Sequence, residues 1–70
     1  LVVSHKRNTY IIELKVAKKD KSPAAKAAEA YNQIFEQNYH KPYPAAICIG
    51  LAIDDEKREI TEYKTNVEPE

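Results

Sequence analysis

The stretch Tyr10-Ile11-Ile12-Glu13-Leu14-Lys15-Val16, YIIELKV, has the composition of a buried strand but carries two charges in its middle. Side chains alternate faces along a strand, so Ile12, Leu14 and Val16 point one way while Ile11, Glu13 and Lys15 point the other. The two charges therefore share a face. Their Cα atoms lie about 6.6 to 6.8 Å apart, so both heads can converge on one small ligand or on each other, although on pattern alone the simpler reading is that both face water from a half-exposed strand.

On the N-terminal side, Leu1 to Ser4 and Thr9 to Val16 are β-rich runs separated by His5, Lys6, Arg7 and Asn8. This polar connection suits an antiparallel hairpin and makes His5 a turn residue. On the other side, a polar AKKDKSP ends in Ser22-Pro23, where serine caps a helix and proline occupies its first turn. A helix is expected from Pro23 to about Tyr39, about 25 Å long at 1.5 Å per residue. Ala24, Ala27, Ala28, Tyr31, Ile34, Phe35 and Asn38 follow the rhythm of one helical face, apolar until its last member.

Two prolines in His40-Lys41-Pro42-Tyr43-Pro44 break that helix. Ala45 to Ile53 is then apolar on both faces, as expected of a central strand covered on both sides, with Gly50 permitting close approach of a helix or backbone. Asp54 to Lys57 makes a charged turn, Arg58 to Lys64 a more polar edge strand, and Asn66 to Glu70 a tail. The expected architecture is α/β: a mixed sheet in the order β-β-α-β-β, with one helix on the sheet and a right-handed crossover from Val16 to Ala45. Ile47, Ile49, Leu51, Ile34, Phe35 and Tyr31 are the expected core, with Cys48 buried beside them.

Seventy residues with 43% hydrophobic and 31% charged content describe one small domain over residues 1–65, too short for two cores and too apolar for disorder. Without a disulfide or metal, such a chain is expected to be marginally stable or completed by neighbouring structure. Eleven basic and eleven acidic residues cancel, which argues against a strongly basic nucleic-acid binder but leaves room for a local basic patch. The single cysteine, no apolar run near the ~20 residues of a membrane span and no secretory leader fit a cytoplasmic protein.

Strand, strand with E-x-K, helix and apolar strand form the core order of the restriction-endonuclease-like fold. The text from Tyr10 to Asp54 resembles one branch of the PD-(D/E)XK nuclease superfamily, the domain found C-terminal to AAA-ATPase-like domains in bacterial proteins. The resemblance rests on Ile11, Ile12, Glu13 and Lys15; on Ala30, Gln33 and Ile34 in the helix; on Tyr39 and Tyr43; and on Ile49 and Gly50. No single piece is specific, and the weight lies in their combination over nearly the whole of Leu1 to Tyr63.

That resemblance implies metal-dependent hydrolysis of nucleic-acid phosphodiesters, with Mg²⁺ or Mn²⁺ bound by Glu13 and the Leu14 carbonyl. It implies that Lys15 orients or activates water and stabilises charge. Gln33 resembles a family position that reaches the site, the alternative being a helix-surface amide. The superfamily's first metal-binding aspartate belongs on the strand before E-x-K, and no acidic residue precedes Glu13. It is expected immediately upstream of Leu1, so the chain is expected to be a nuclease core truncated at the edge of its site and inactive alone. A non-catalytic module, binding nucleic acid or docking on an ATPase-like neighbour, would keep the same fold, as would a structural domain with no site. Asp54-Asp55-Glu56 could bind a cation but is most simply a solvated turn; Tyr39 and Tyr43 could stack on bases but more simply seal the core; Lys18, Lys19 and Lys21 could contact phosphates but are most simply exposed cations.

Overall fold

In the computed structural model, which describes residues 1–67, the elements run β1 (Val2–His5), β2 (Asn8–Ala17), α1 (Pro23–Glu36), β3 (Ile47–Asp54) and β4 (Ile60–Thr65). The sheet has the spatial order β1-β2-β3-β4, with β2 and β3 parallel and both flanking pairs antiparallel. This is the expected mixed sheet with a crossover helix.

Local chemistry explains where the elements start and stop. The hairpin is tighter than expected, because His5 pairs with Asn8 and only Lys6 and Arg7 make the turn, at φ of 48° and 70°. Positive φ at both central positions is the two-residue geometry whose twist matches that of the strands, so His5 belongs to a strand. Ser22 caps α1 by accepting a hydrogen bond from the Ala25 amide at 3.3 Å, with Pro23 in the first turn.

The helix ends at Glu36, earlier than Tyr39. Asn38 adopts a left-handed φ of 59°, the Tyr39 amide donates to the Ile34 carbonyl at 3.0 Å, and the Asn38 amide donates to that of Phe35 at 3.1 Å. That paired closure satisfies orphan carbonyls at a helix C-terminus, and asparagine tolerates the left-handed position better than most residues.

Register assigns the two faces. Ile11, Glu13, Lys15 and Ala17 share the helix side with Cys48, Gly50 and Ala52, whereas Ile12, Leu14 and Val16 share the opposite side with Ile49, Leu51 and Ile53. The buried residues are Ile11, Ala17, Ala27, Ala30, Ile34, Ala46, Cys48 and Ala52, with Tyr31 and Phe35 packed partly buried against them. The expectation for β3 is therefore reversed: Ile47, Ile49 and Leu51 are only half-buried, and the smaller Cys48, Gly50 and Ala52 lie under the helix.

The reason is steric. A Cβ built on Gly50 would stand 2.4 Å from both the Ala27 carbonyl oxygen and the Tyr31 amide nitrogen. The helix backbone rests directly on the strand backbone, which only a glycine flanked by small residues allows. Among the described residues nothing covers the other face, where Leu14 is 49% exposed and Tyr63 59%.

Two polar side chains close the far ends of the sheet. Asp54 Oδ1 accepts from the amides of Glu56 and Lys57 at 2.9 and 2.8 Å, so the acidic cluster is a self-satisfied turn. Asn66, in the segment read as tail, accepts from the Cys48 amide at 3.0 Å and donates to the Ala46 carbonyl, continuing the pairing of β3 by a side chain. No helix among the described residues is long and apolar enough to cross a membrane.

Candidate active site

Helix α1 packs on β2, β3 and β4 but not on β1. The helix-side surface of β1 and the neighbouring half of β2 is thus left as the floor of a cleft. Its wall is the end of α1 and the segment that follows. Val2, Ile11 and Glu13 line a cavity of about 360 Å³ together with Leu1, Asn38, Tyr39, Pro42 and Tyr43. The left-handed turn at Asn38 sends Asn38 and Tyr39 over this floor, and the Pro42-Tyr43-Pro44 segment extends the wall.

Glu13 and Lys15 are both half-buried on the helix-side face, as their spacing requires. Their heads do not meet: the ion pairs among the described residues are Lys19–Glu56 at 3.8 Å and Lys26–Glu29 at 3.2 Å. Glu13 lines the cavity, and Lys15 lies one step further along the same face, beyond its lining. The carboxylate is therefore free to accept from a ligand instead of being tied to the lysine.

Leu14 turns its side chain to the open face, which leaves only its backbone available beside Glu13. Gln33 is half-buried in the last turns of α1. At 100° per residue it projects from the flank opposite Tyr31 and Phe35. Tyr31 packs toward β4, with the Lys64 ammonium 5.2 Å from its ring centroid, so Gln33 flanks β2, the strand of Glu13 and Lys15. Lys18, Lys19 and Lys21 are exposed beyond the end of β2, where Lys19 pairs with Glu56 across the sheet end.

Tyr39 and Tyr43 were expected to seal the core. They are 46% and 39% exposed and line the cleft instead, because the helix ends three residues before Tyr39. Asn38, read by periodicity as the last member of the helical face, lies beyond the helix for the same reason. The available signal was chemical: asparagine ahead of a His-Lys-Pro segment suits a left-handed helix terminus.

Among the described residues no group of three or more His, Cys, Asp or Glu side chains is placed to hold an ion. Glu13 is the only carboxylate among the described residues that lines the cleft, and β1 contributes Val-Val-Ser-His. One carboxylate and a strand carbonyl fall short of the ligand set that fixes Mg²⁺, so these residues do not complete a metal centre.

The fold and site define a class: a mixed sheet with a crossover helix, carrying E-x-K on the parallel strand beside a cleft. A family model described as the PD-(D/E)XK nuclease superfamily matches residues 1–63, and the chain belongs to that superfamily. Its members generally use divalent metals and act on nucleic acid. No curated protein and no solved structure matches the chain.

Proposed function

We propose that the cleft is the active-site half of a metal-dependent nucleic-acid phosphodiesterase. The observation carrying this reading is the position of Glu13: an unpaired carboxylate on the cleft floor, with Lys15 next on the same face, in a chain of this superfamily. Glu13 and the Leu14 carbonyl would hold one side of a Mg²⁺ or Mn²⁺ ion, which when bound supplies charge neutralisation and a more acidic water. In this reading Lys15 orients water and offsets charge on the phosphate, and Gln33 would reach toward the site from the helix flank above β2. A cytoplasmic location and an AAA-ATPase-like neighbouring domain belong to the same proposal and rest on the sequence reading alone.

The 70-residue chain alone is expected not to cleave, since a single carboxylate leaves the ion mostly to water. Register indicates what would complete the site. The Leu1 ammonium donates to the Ile12 carbonyl at 3.0 Å and the Ile12 amide donates to the Leu1 carbonyl at 2.8 Å, so a residue preceding Leu1 would stand opposite Glu13.

The test is to extend the chain by one aspartate before Leu1 and follow its melting temperature with Mg²⁺ or Mn²⁺. At about 100 times Kd, an ion bound only by the folded state adds about 2.7 kcal/mol. The extension is expected to create a metal-dependent rise that Glu13→Gln removes. Metal-dependent cleavage by the unextended chain that survives Glu13→Gln would place the site elsewhere. A second reading, a non-catalytic module, is favoured by the incomplete ligand set; an extended chain that binds no metal but binds oligonucleotide would select it.

A further inference from the structure

A second cavity, of about 270 Å³, adjoins the first and is lined by Arg7, Asn8, Thr9, Tyr43, Pro44, Ala45 and Ala46. Tyr43 lines both cavities, and Thr9, Ile11 and Glu13 succeed one another on the same face of β2 beneath them. The two cavities are therefore sections of one groove. It runs about 14 Å from Thr9 to Glu13, the axial span of about four stacked nucleotides at 3.4 Å each.

We propose that this groove seats a single strand of nucleic acid, with a backbone phosphate on Arg7 and a base stacked on Tyr43, leading the strand toward Glu13. The proposal rests on the nuclease reading for its direction and goes beyond it in naming the substrate form and the residues that position it.

The chemistry of each end supports the assignment. Arg7 is exposed, joins none of the ion pairs among the described residues, and is set by the two-residue turn at φ 70°. Its planar guanidinium fork matches a phosphate, and exposed Lys6 and Lys41 add positive charge to the turn and to the facing segment. The Tyr43 backbone is held in place. It sits between two prolines, its amide donates to the His40 carbonyl at 2.9 Å, and its carbonyl accepts from the Ala46 amide at 3.0 Å.

An aromatic ring beside a cation that can hold the backbone is the recurring device for binding unpaired bases, since every base offers a π-face. Each section is at or near the lower end of the range of about 300–1,000 Å³ for small-ligand pockets, a size for single nucleotides and not for a duplex.

The experiment is fluorescence anisotropy with a labelled ten-nucleotide oligo-dT and a labelled duplex, using the whole chain in EDTA. The chain is expected to bind oligo-dT more tightly than the duplex. Tyr43→Ala is expected to weaken oligo-dT binding about 5- to 100-fold while Tyr43→Phe keeps it, because stacking survives loss of the hydroxyl. Arg7→Ala is expected to weaken it about tenfold and Lys57→Ala, on the distant β3–β4 turn, to leave it unchanged. Circular-dichroism melts establish that each variant folds.

No binding of oligo-dT, preference for the duplex, equal loss in Tyr43→Phe and Tyr43→Ala, or wild-type affinity in folded Arg7→Ala would each overturn the proposal. The two readings fail separately. Oligo-dT binding with these variant effects, but no metal response in the aspartate-extended chain, would sink the nuclease and leave the groove. A metal response with no effect of Arg7 or Tyr43 would do the reverse.

Discussion

Substituting Gly50 by alanine adds one methyl group, and the structure specifies what it costs. The new Cβ would stand 2.4 Å from the Ala27 oxygen and the Tyr31 nitrogen and 2.8 Å from the Tyr31 Cα. All three are helix backbone atoms that no rotamer change can move. Ordinary contact begins at 3.4 Å, so α1 must lift by about 1 Å. A gap of that size forfeits about a quarter to a half of the dispersion well at each contact.

The contacts at risk are those of Ala27, Ala30 and Ile34, which are 2%, 0% and 0% exposed. Loss on this scale belongs at the upper end of the overpacking range, about 3 kcal/mol. Gly50 has no positive φ, so no backbone strain adds to this, and the reduced freedom of the unfolded chain offsets about 0.4–1 kcal/mol. A net loss of about 2–3 kcal/mol is expected.

At about 0.05–0.15 kcal/mol per residue, a 70-residue chain holds about 3.5–10 kcal/mol in all. The melting temperature should therefore fall by about 8–24 °C, at about 4–8 °C per kcal/mol. Thermal and urea melts followed by far-ultraviolet circular dichroism measure this. A Gly50→Ala variant within about 0.5 kcal/mol of the parent would refute the close approach of helix and sheet, and with it the assignment of the faces.

Two further outcomes separate the covered face from the open one and probe the buried thiol. Ile34→Ala is expected to cost about 2–5 kcal/mol, because Ile34 is 0% exposed, whereas Leu14→Ala, at a side chain 49% exposed, should cost clearly less in the same urea titration. Similar losses at the two sites would contradict the sidedness of the core. Burial pushes the Cys48 thiol above its ordinary value of 9.0. Below that value both states keep the proton; as pH rises through it the unfolded chain loses its proton first, so stability falls by up to about 1.4 kcal/mol per pH unit until the native thiol ionises too. Urea midpoints measured from pH 7 to 10 should show this extra decline in the parent and not in Cys48→Ala, and parallel profiles would refute it.

The sequence by itself determined the order of elements and the shared face of Glu13 and Lys15. Both follow from rules local to the chain. The period of two along Tyr10 to Val16 fixes which side chains are neighbours, and Ser22-Pro23 marks a helix start through one capping oxygen and one missing amide hydrogen. The E-x-K together with Gln33, Tyr39, Tyr43 and Gly50 was also enough to mark the superfamily.

Which face of the sheet the helix covers was decided only in three dimensions. Residues 47–53 alternate large apolar side chains with small ones, so hydropathy is high on both faces and alternation alone favours neither. Size settles it. The large residues would hold a helix away, whereas Cys48, Gly50 and Ala52 let the backbone of α1 come down between Ala27 and Tyr31. The cleft was likewise invisible along the chain, because Arg7, Glu13, Asn38 and Tyr43 are distant in sequence. A two-residue turn, the parallel register and a left-handed residue at the end of α1 bring them to one groove. Such meetings depend on how elements pack, and local propensity carries no information about that.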